Sequence, residues 1–396
     1  MMLPVRDTSR QTAALLLLLA REHLTEAEQV TARKLASDLE DWPAFMNAAQ
    51  HLRGLSFVHK HVTQLGLLPP DRHLIQNWLA DTVTRASFRW LSIAQAQARL
   101  LDTCILPLDV PHVFLKGLTL SSYYDAPSLR TSRDIDLLVE PAAVNHILEA
   151  AQDAGYQVLL DPKSARFVES SADLEAVLAL KEDIPLLSPE GVVVEVHRSL
   201  HEDLPDASID AVIAAAEDSE IGDRTYKVLP TSVMFPYLCA HHTRHLWDTP
   251  NYVADIAAVR SHPSWDEAEV FDWATRFRLK HVVQAALEFE TATRTGTLPN
   301  KGMSGRYAAC FALHVEGQAE THDMLEQELK VVNRWVHRID ASFAETWKVF
   351  LRQFSPTLLD YVHHRVPVHK KLFYWALGIG KIVSKSSRRL LHLGAR

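Results

Sequence analysis

Two aspartates spaced i, i+2, Asp134 and Asp136, open the strongly apolar stretch 134–139 (DIDLLV). In a β-strand, residues two apart share a face, so the spacing directs both carboxylates to one side while Ile135 and Leu137 face the other. Carboxylates held this close repel one another. A divalent cation such as Mg²⁺, held by one or two carboxylates plus substrate phosphates, is the usual remedy. The spacing alone is common: with 49 acidic residues in 396, chance gives about six acid-x-acid pairs. Its surroundings strengthen it. Lys116-Gly117 closes an earlier apolar stretch, 110–115 (VPHVFL), and a glycine there lets backbone N–H groups approach an anion closely. Glu195 lies inside 192–197 (VVVEVH), where an acid among apolar residues calls for a cation or a hydrogen-bond partner. Three acids on neighbouring strands beside a glycine turn are the minimum set for two-metal phosphoryl or nucleotidyl transfer. Replacing either aspartate by asparagine is expected to leave the fold intact, because what is lost is a repulsion.

His241 and His245 are i, i+4 on one helix face, with His242 beside them and Asp255 ten residues on from His245. Three readings are open for this group: a polar face whose imidazoles and Asp255 hydrogen-bond near the cleft, a binding surface for an acceptor or base, and a metal site. The glutamate of H-E-x-x-H is missing, which excludes the zinc-protease reading. From His363 onward come Arg365, Lys370, Lys371, Lys381, Lys385, Arg388, Arg389 and Arg396 with no acid among them, interleaved with Leu372-Phe-Tyr-Trp375. The expectation is that the aromatic part packs on the protein and the last dozen residues form a solvated tail. Contact with an acidic partner or an anionic membrane surface is the alternative.

The elements that must position these residues follow from hydrophobic period and turn chemistry. Residues 12–105 read as helix almost throughout, with a capping box at Thr25 and Glu28, a second helix started by Asp41-Trp-Pro43, and a third stopped by Leu67-Leu-Pro-Pro70. Residues 110–115 read as a strand, 118–124 as one or two helical turns and 125–133 as loop. Residues 134–139 form a second strand, 141–155 an amphipathic helix capped by Gly155, and 156–160 a third strand. Residues 184–187 and 192–197 form a hairpin around Ser188-Pro-Glu-Gly191. Helix resumes after Pro230 over 231–247, 252–260 and 266–294. The organisation expected is an N-terminal helical region (1–107), an α/β core (108–230), a C-terminal helical region (231–320), and a helical extension with the basic tail (321–396). The fold class is α+β, a mixed sheet flanked by helices.

Phe114-Leu-Lys-Gly117, Leu129-Arg130, Asp134-Ile-Asp-Leu-Leu-Val139, Glu195-Val-His197, Leu238-Cys-Ala-His241, His245-Leu-Trp247 and Asp255 together resemble the bacterial "uncharacterised nucleotidyltransferase" family of the polymerase-beta-like nucleotidyltransferase superfamily, over roughly residues 30–290. The resemblance implies a nucleotidyltransferase sheet, with Asp134, Asp136 and Glu195 as metal-binding and catalytic residues and Mg²⁺ or Mn²⁺ as cofactor. It implies that Lys116, Gly117, Arg130 and Arg133 face the phosphates of an NTP co-substrate, and that His197, His241, His245 and Asp255 lie toward the acceptor. The reaction implied moves an NMP group from an NTP to a hydroxyl or similar acceptor (a small molecule, a sugar or a peptide) and releases pyrophosphate. Family members occur beside peptide-tailoring genes, which permits a peptide acceptor. Lys116-Gly117-Leu118 stands where the superfamily has Gly-Ser, so no serine side chain follows the glycine. An inactive nucleotide- or peptide-binding module on the same fold, or a kinase-like phosphotransferase, are the alternatives.

Composition bounds these readings. The formal charge is −8, with 41 basic and 49 acidic residues, so bulk electrostatics do not attract nucleic acid. Three cysteines, Cys104, Cys239 and Cys310, lie far apart and form no C-x-x-C pair, against a disulfide framework and for a reducing compartment. The longest apolar runs, 13–20 and 372–380, are far short of the ~20 residues of a spanning helix. The first, followed by Arg21, Glu22 and His23, reads as a buried helix rather than a signal-peptide core. A soluble, cytoplasmic protein is the expectation.

Overall fold

Strand β2 (Asp134–Val139) lies between β1 (His112–Phe114), antiparallel to it, and β6 (Val193–His197), parallel to it. Every β2 residue after Asp134 is buried, which is why this central strand reads as a nearly continuous apolar run. The computed structural model describes residues 7–68, 73–161, 165–200, 209–317, 347, 355–370 and 372–380. Within them the remaining strands are β3 (Gln157–Asp161), β4 (Arg166–Phe167), β5 (Asp183–Leu187), β7 (Glu217–Ile221) and β8 (Arg224–Val228). They form one mixed sheet in the order β4-β3-β5-β6-β2-β1-β8-β7. The pairs β2–β6 and β1–β8 are parallel and the other neighbours antiparallel. The expected hairpin is β5–β6, closed by a turn with Gly191 at φ +76°.

Alternation sorts the sheet into two faces. Ile135, Leu137, Val139, Val194, Val196, Ile184 and Leu186 pack with α6 (Val144–Asp153), α7 (Ser171–Leu180) and the end of α5 (His73–Leu100). The opposite face carries Asp134, Asp136, Glu195 and His197, then Leu138 and Val113. Leu138 and Val113 join the larger apolar cluster of the helical body, built from α1 (Asp7–Leu19), α2 (Glu26–Ser37), α3 (Trp42–His51), α4 (Leu55–Leu65), α9 (Thr231–Arg244), α10 (Asn251–Ser261), α11 (Glu267–Arg276), α12 (Lys280–Arg294) and α13 (Gly302–Glu316). Helices from before and after the sheet therefore share one core. The polar side chains sit on that face beyond the point where apolar packing stops.

The helix starts follow their caps: Thr25 and Glu28 close the capping box on α2, and Asp41 caps α3 with Pro43 in its first turn. Other boundaries differ from the sequence reading. Helix α4 ends at Leu65 because Gly66 adopts φ +60°, ahead of Pro69-Pro70, which lie outside the described residues. The stretch 266–294 is two helices, broken where Arg278 takes φ +56°. Helix α9 stops at Arg244, with Leu246 and Trp247 left-handed beyond it. The short strand β4, α7, the six-residue α8 (Ile209–Ala214) and the β7–β8 hairpin were not apparent from pattern. The outer strand β7 (EDSEI) is largely polar, and Ile221 is its one apolar residue. Of the aromatic stretch near the C-terminus, Tyr374 is buried whereas Leu372 and Trp375 are 84% and 56% exposed, so the expected packing holds for one residue. Lys371, Lys381, Lys385, Arg388, Arg389 and Arg396 lie outside the described residues. No helix among the described residues is long and apolar enough to cross a membrane.

One buried carboxylate ties this helical body together. Glu290 of α12, fully buried, accepts from Arg21 at 3.1 Å and Arg260 of α10 at 2.9 Å, with Arg294 at 2.7 Å. Glu290→Ala would leave the buried Arg21 with only the more distant Glu28 as counter-charge, and we expect a loss of about 3 kcal/mol in urea unfolding. The exposed Arg85–Asp81 pair, broken by Arg85→Ala, should change stability by less than about 1 kcal/mol.

Candidate active site

The parallel pairing of β2 with β6 sets Asp136 directly beside Glu195, and His197 one pleat further along the same face. Asp136 Oδ1 accepts from Lys116 Nζ at 2.7 Å and from His197 Nε2 at 3.0 Å; His197 Nε2 is also 3.6 Å from Glu195 Oε2. Lys116 reaches Asp136 because Leu115 N donates to the Asp136 carbonyl, which places the residue after Leu115 over the carboxylate. Burial alone would raise the Asp136 carboxyl. The Lys116 ammonium and the His197 hydrogen bond outweigh it and hold the group well below the usual carboxylate range. Burial and the Asp136 charge push Asp134 upward. Glu195 is pushed up to about 7 by burial and then by Asp136. Tyr237 of α9 closes the site from the helical side. Its phenol is driven up by burial, with Lys116, Asp136, Glu195 and Asp134 all within electrostatic reach.

This donor set fits a hard divalent cation. Ligand atoms of Asp136, Glu195 and His197 lie within 4.8 Å of one another. Asp136 Oδ2 is buried without a hydrogen-bond partner, an orphaned acceptor that a cation would satisfy. Asp134 stands at the edge of the cluster, on the same face but outside that 4.8 Å group. The pair expected from the D-x-D spacing is therefore unequal: Asp136 is the centre, and Asp134 opens the strand, half-buried.

The turn after β1 is held by a second network. Gly117 has φ +73°, and a Cβ there would sit 3.0 Å from the Asp134 carbonyl oxygen and 3.3 Å from Ser132 Oγ. Arg130 Nη1 donates to the Gly117 carbonyl at 3.2 Å. Its Nε and Nη2 fork onto Asp255 of α10 at 2.7 and 3.1 Å, and Tyr124 also donates to Asp255. Arg130 and Asp255 are thus committed to each other. The His241 and His245 rings lie tilted at 39° with centres 4.5 Å apart, and His242, buried and stacked on Tyr252, is lowered by burial and by Arg130. Among the described residues, neither His241 nor His245 falls in a metal-type cluster. Arg133 is exposed and lines a separate pocket. Tyr237 and Tyr124 were not singled out in the sequence. For Tyr237 the one available signal was its place four residues before His241 on the same helix.

A mixed sheet with clustered carboxylates on two parallel strands, flanked by helices on both faces, is the α+β architecture of a nucleotidyltransferase-like protein. The family described as uncharacterised nucleotidyltransferases matches residues 38–292, more than half of the chain, and the chain belongs to it. No curated protein matches the chain.

The local charges correct the expectation that both asparagine variants spare the fold. Asp136→Asn removes an attraction, taking from the largely enclosed Lys116 its nearest carboxylate, and should cost about 2 kcal/mol in urea unfolding. Glu195→Gln acts in the opposite direction. Glu195 binds its proton more tightly folded than unfolded, so its stabilising contribution is complete below pH 4.5 and lost as pH rises through about 7. Without divalent metal, Glu195→Gln should be more stable than wild type by about 2 kcal/mol at pH 8 and unchanged at pH 4, as read from urea midpoints.

Proposed function

We propose that the protein transfers a nucleotidyl group from an NTP to an acceptor hydroxyl in a divalent-metal-dependent reaction, releasing pyrophosphate. The observation that carries this is the buried, partnerless Asp136 Oδ2 beside Glu195 and His197, in a member of a nucleotidyltransferase family. Asp136 and Glu195, with Asp134 at the strand's start, would hold Mg²⁺ or Mn²⁺, and His197 would orient Asp136 through its hydrogen bond. When bound, the cation supplies charge neutralisation for the nucleotide phosphates. Lys116 keeps Asp136 ionised and places a fixed positive charge beside it. The left-handed Gly117 leaves its turn free of a side chain on the side of Asp134, so phosphate oxygens can approach its backbone. Arg130, locked onto Asp255 and the Gly117 carbonyl, positions that turn and does not itself meet phosphate.

Glu195, on the strand beside Asp136, is the carboxylate to which we assign the proton of the acceptor hydroxyl. The acceptor oxygen bonds to the α-phosphorus, the bond from that phosphorus to the bridging oxygen breaks, and pyrophosphate departs with the electron pair. Positioning and electrostatics supply most of the rate. His241, His245 and the Tyr252 that packs against them line the helical side toward which we place the acceptor. One observation favours a binding module without turnover: Lys116 already neutralises Asp136.

Calorimetric titration of each of the four NTPs, with and without Mg²⁺, tests the proposal. Wild type should bind one NTP in a metal-dependent way, and Asp134→Asn and Glu195→Gln should weaken that binding at least tenfold. Incubation with the bound NTP and candidate acceptors should release pyrophosphate. Release of nucleoside diphosphate would mark a phosphotransferase, and metal-independent NTP binding without turnover would favour the module.

A further inference from the structure

Arg53, Arg89 and Arg133 line one pocket of about 170 Å³, together with Ser56, Thr82 and Ser132. They come from three separate places: the turn between α3 and α4, the middle of α5, and the loop entering β2. At ~30 Å³ per water the pocket holds about five or six waters, enough for one or two phosphoryl groups. Two acids offset part of its charge, since Asp134 and Asp248 both act on Arg133. Arg53 has one acidic neighbour, Asp248, at 3.6 Å. Among the described residues, no hydrogen bond or ion pair engages the guanidinium of Arg89 or Arg133. The Arg133 guanidinium is lowered by partial burial and then by Arg53 and Arg89, which places the three charges within reach of one another. Three converging guanidiniums in a chain of net charge −8 are a local reversal of sign.

The backbone on two sides of the pocket is held by contacts of its own, while the Arg89 and Arg133 side chains are exposed. Arg53 holds φ +66°, an unfavourable conformation for an arginine. It persists because Gly54 packs against Pro250, where a Cβ would come within 2.6 Å of Pro250 Cγ, and because buried Thr249 donates to the Leu52 carbonyl at 2.7 Å. Asn251 donates to Thr131 at 3.2 Å, and Ser132 Oγ donates to the Asp134 carbonyl at 3.2 Å.

We propose that this pocket is a binding site for a phosphate-class oxyanion, separate from the carboxylate cluster of β2 and β6. Planar guanidiniums fork onto phosphate oxygens, and three of them match a group carrying two or more negative charges, which a single carboxylate does not. The group is either the polyphosphate end of the donor or a phosphate on the acceptor. The site itself does not rest on the proposed transfer reaction, because it requires no metal.

Pyrophosphate titrated calorimetrically into the full chain in EDTA is the test. Wild type should show saturable one-site binding, weakened about tenfold in Arg89→Gln and in Arg133→Gln and lost in the double variant, all with unchanged urea midpoints. Glu195→Gln should bind as wild type does. Absence of saturable binding, wild-type affinity in the arginine variants, or loss of binding in Glu195→Gln would each overturn the proposal. With Mg²⁺ and NTP, a matching tenfold loss of NTP affinity in Arg133→Gln assigns the pocket to the donor. Unchanged NTP affinity, with pyrophosphate still binding the NTP-saturated protein, assigns it to the acceptor. Failure of NTP binding alone removes the proposed transfer and leaves the pyrophosphate result standing.

Discussion

A carboxylate buried at the centre of the sheet governs the site: Asp136 is fully enclosed, and an isolated charge there would be too costly to keep. It is kept because β1 delivers Lys116 and β6 delivers His197 to the same oxygen. Both deliveries depend on strand order. β1 must lie on one side of β2 and β6 on the other, with β6 parallel and in the register that sets Glu195 beside Asp136. A shift of one residue in either pairing would turn the charged face into the apolar core beneath Ile135 and Leu137, so packing and chemistry are specified by the same register.

The helical body contributes in a different way. It fixes the turn around Gly117 through Arg130, whose fork onto Asp255 joins the loop before β2 to α10. α10 is in turn tied by Arg260 to Glu290, and Glu290 to Arg21 at the end of α1. A chain of buried charge pairs thus runs from the first helix to the edge of the carboxylate cluster. Such pairs add little net stability compared with apolar residues, but each has few acceptable geometries, which suits them to holding a turn in place. Tyr237 and the paired His241 and His245 rings occupy the same helical side.

Charge is distributed unevenly around β2. One face carries acids with a single lysine among them, while the loop leading into the strand carries Arg133 into a pocket with two further arginines. Negative and positive side chains thus stand on either side of Asp134, close in sequence and separated by the direction in which they point.

Much of this was legible in the residues. The span of β2, the β5–β6 hairpin, the caps of α2 and α3 and the shared face of Asp134 and Asp136 follow from period and local hydrogen-bond chemistry, which act within a few residues. The helix break at Arg278 and the polar β7–β8 hairpin were not, because tertiary packing and neighbouring strands select those conformations. The site divides along the same line. Residue types and spacing determined that Asp134 and Asp136 share a strand face, with Glu195 in a second apolar strand and a lysine-glycine turn after a third. Only the tertiary structure decided that Lys116 neutralises Asp136, that Arg130 serves Asp255, and that Asp134 stands apart. Those partnerships join residues up to 125 positions apart, and their strength depends on desolvation, which exists only once the chain has packed.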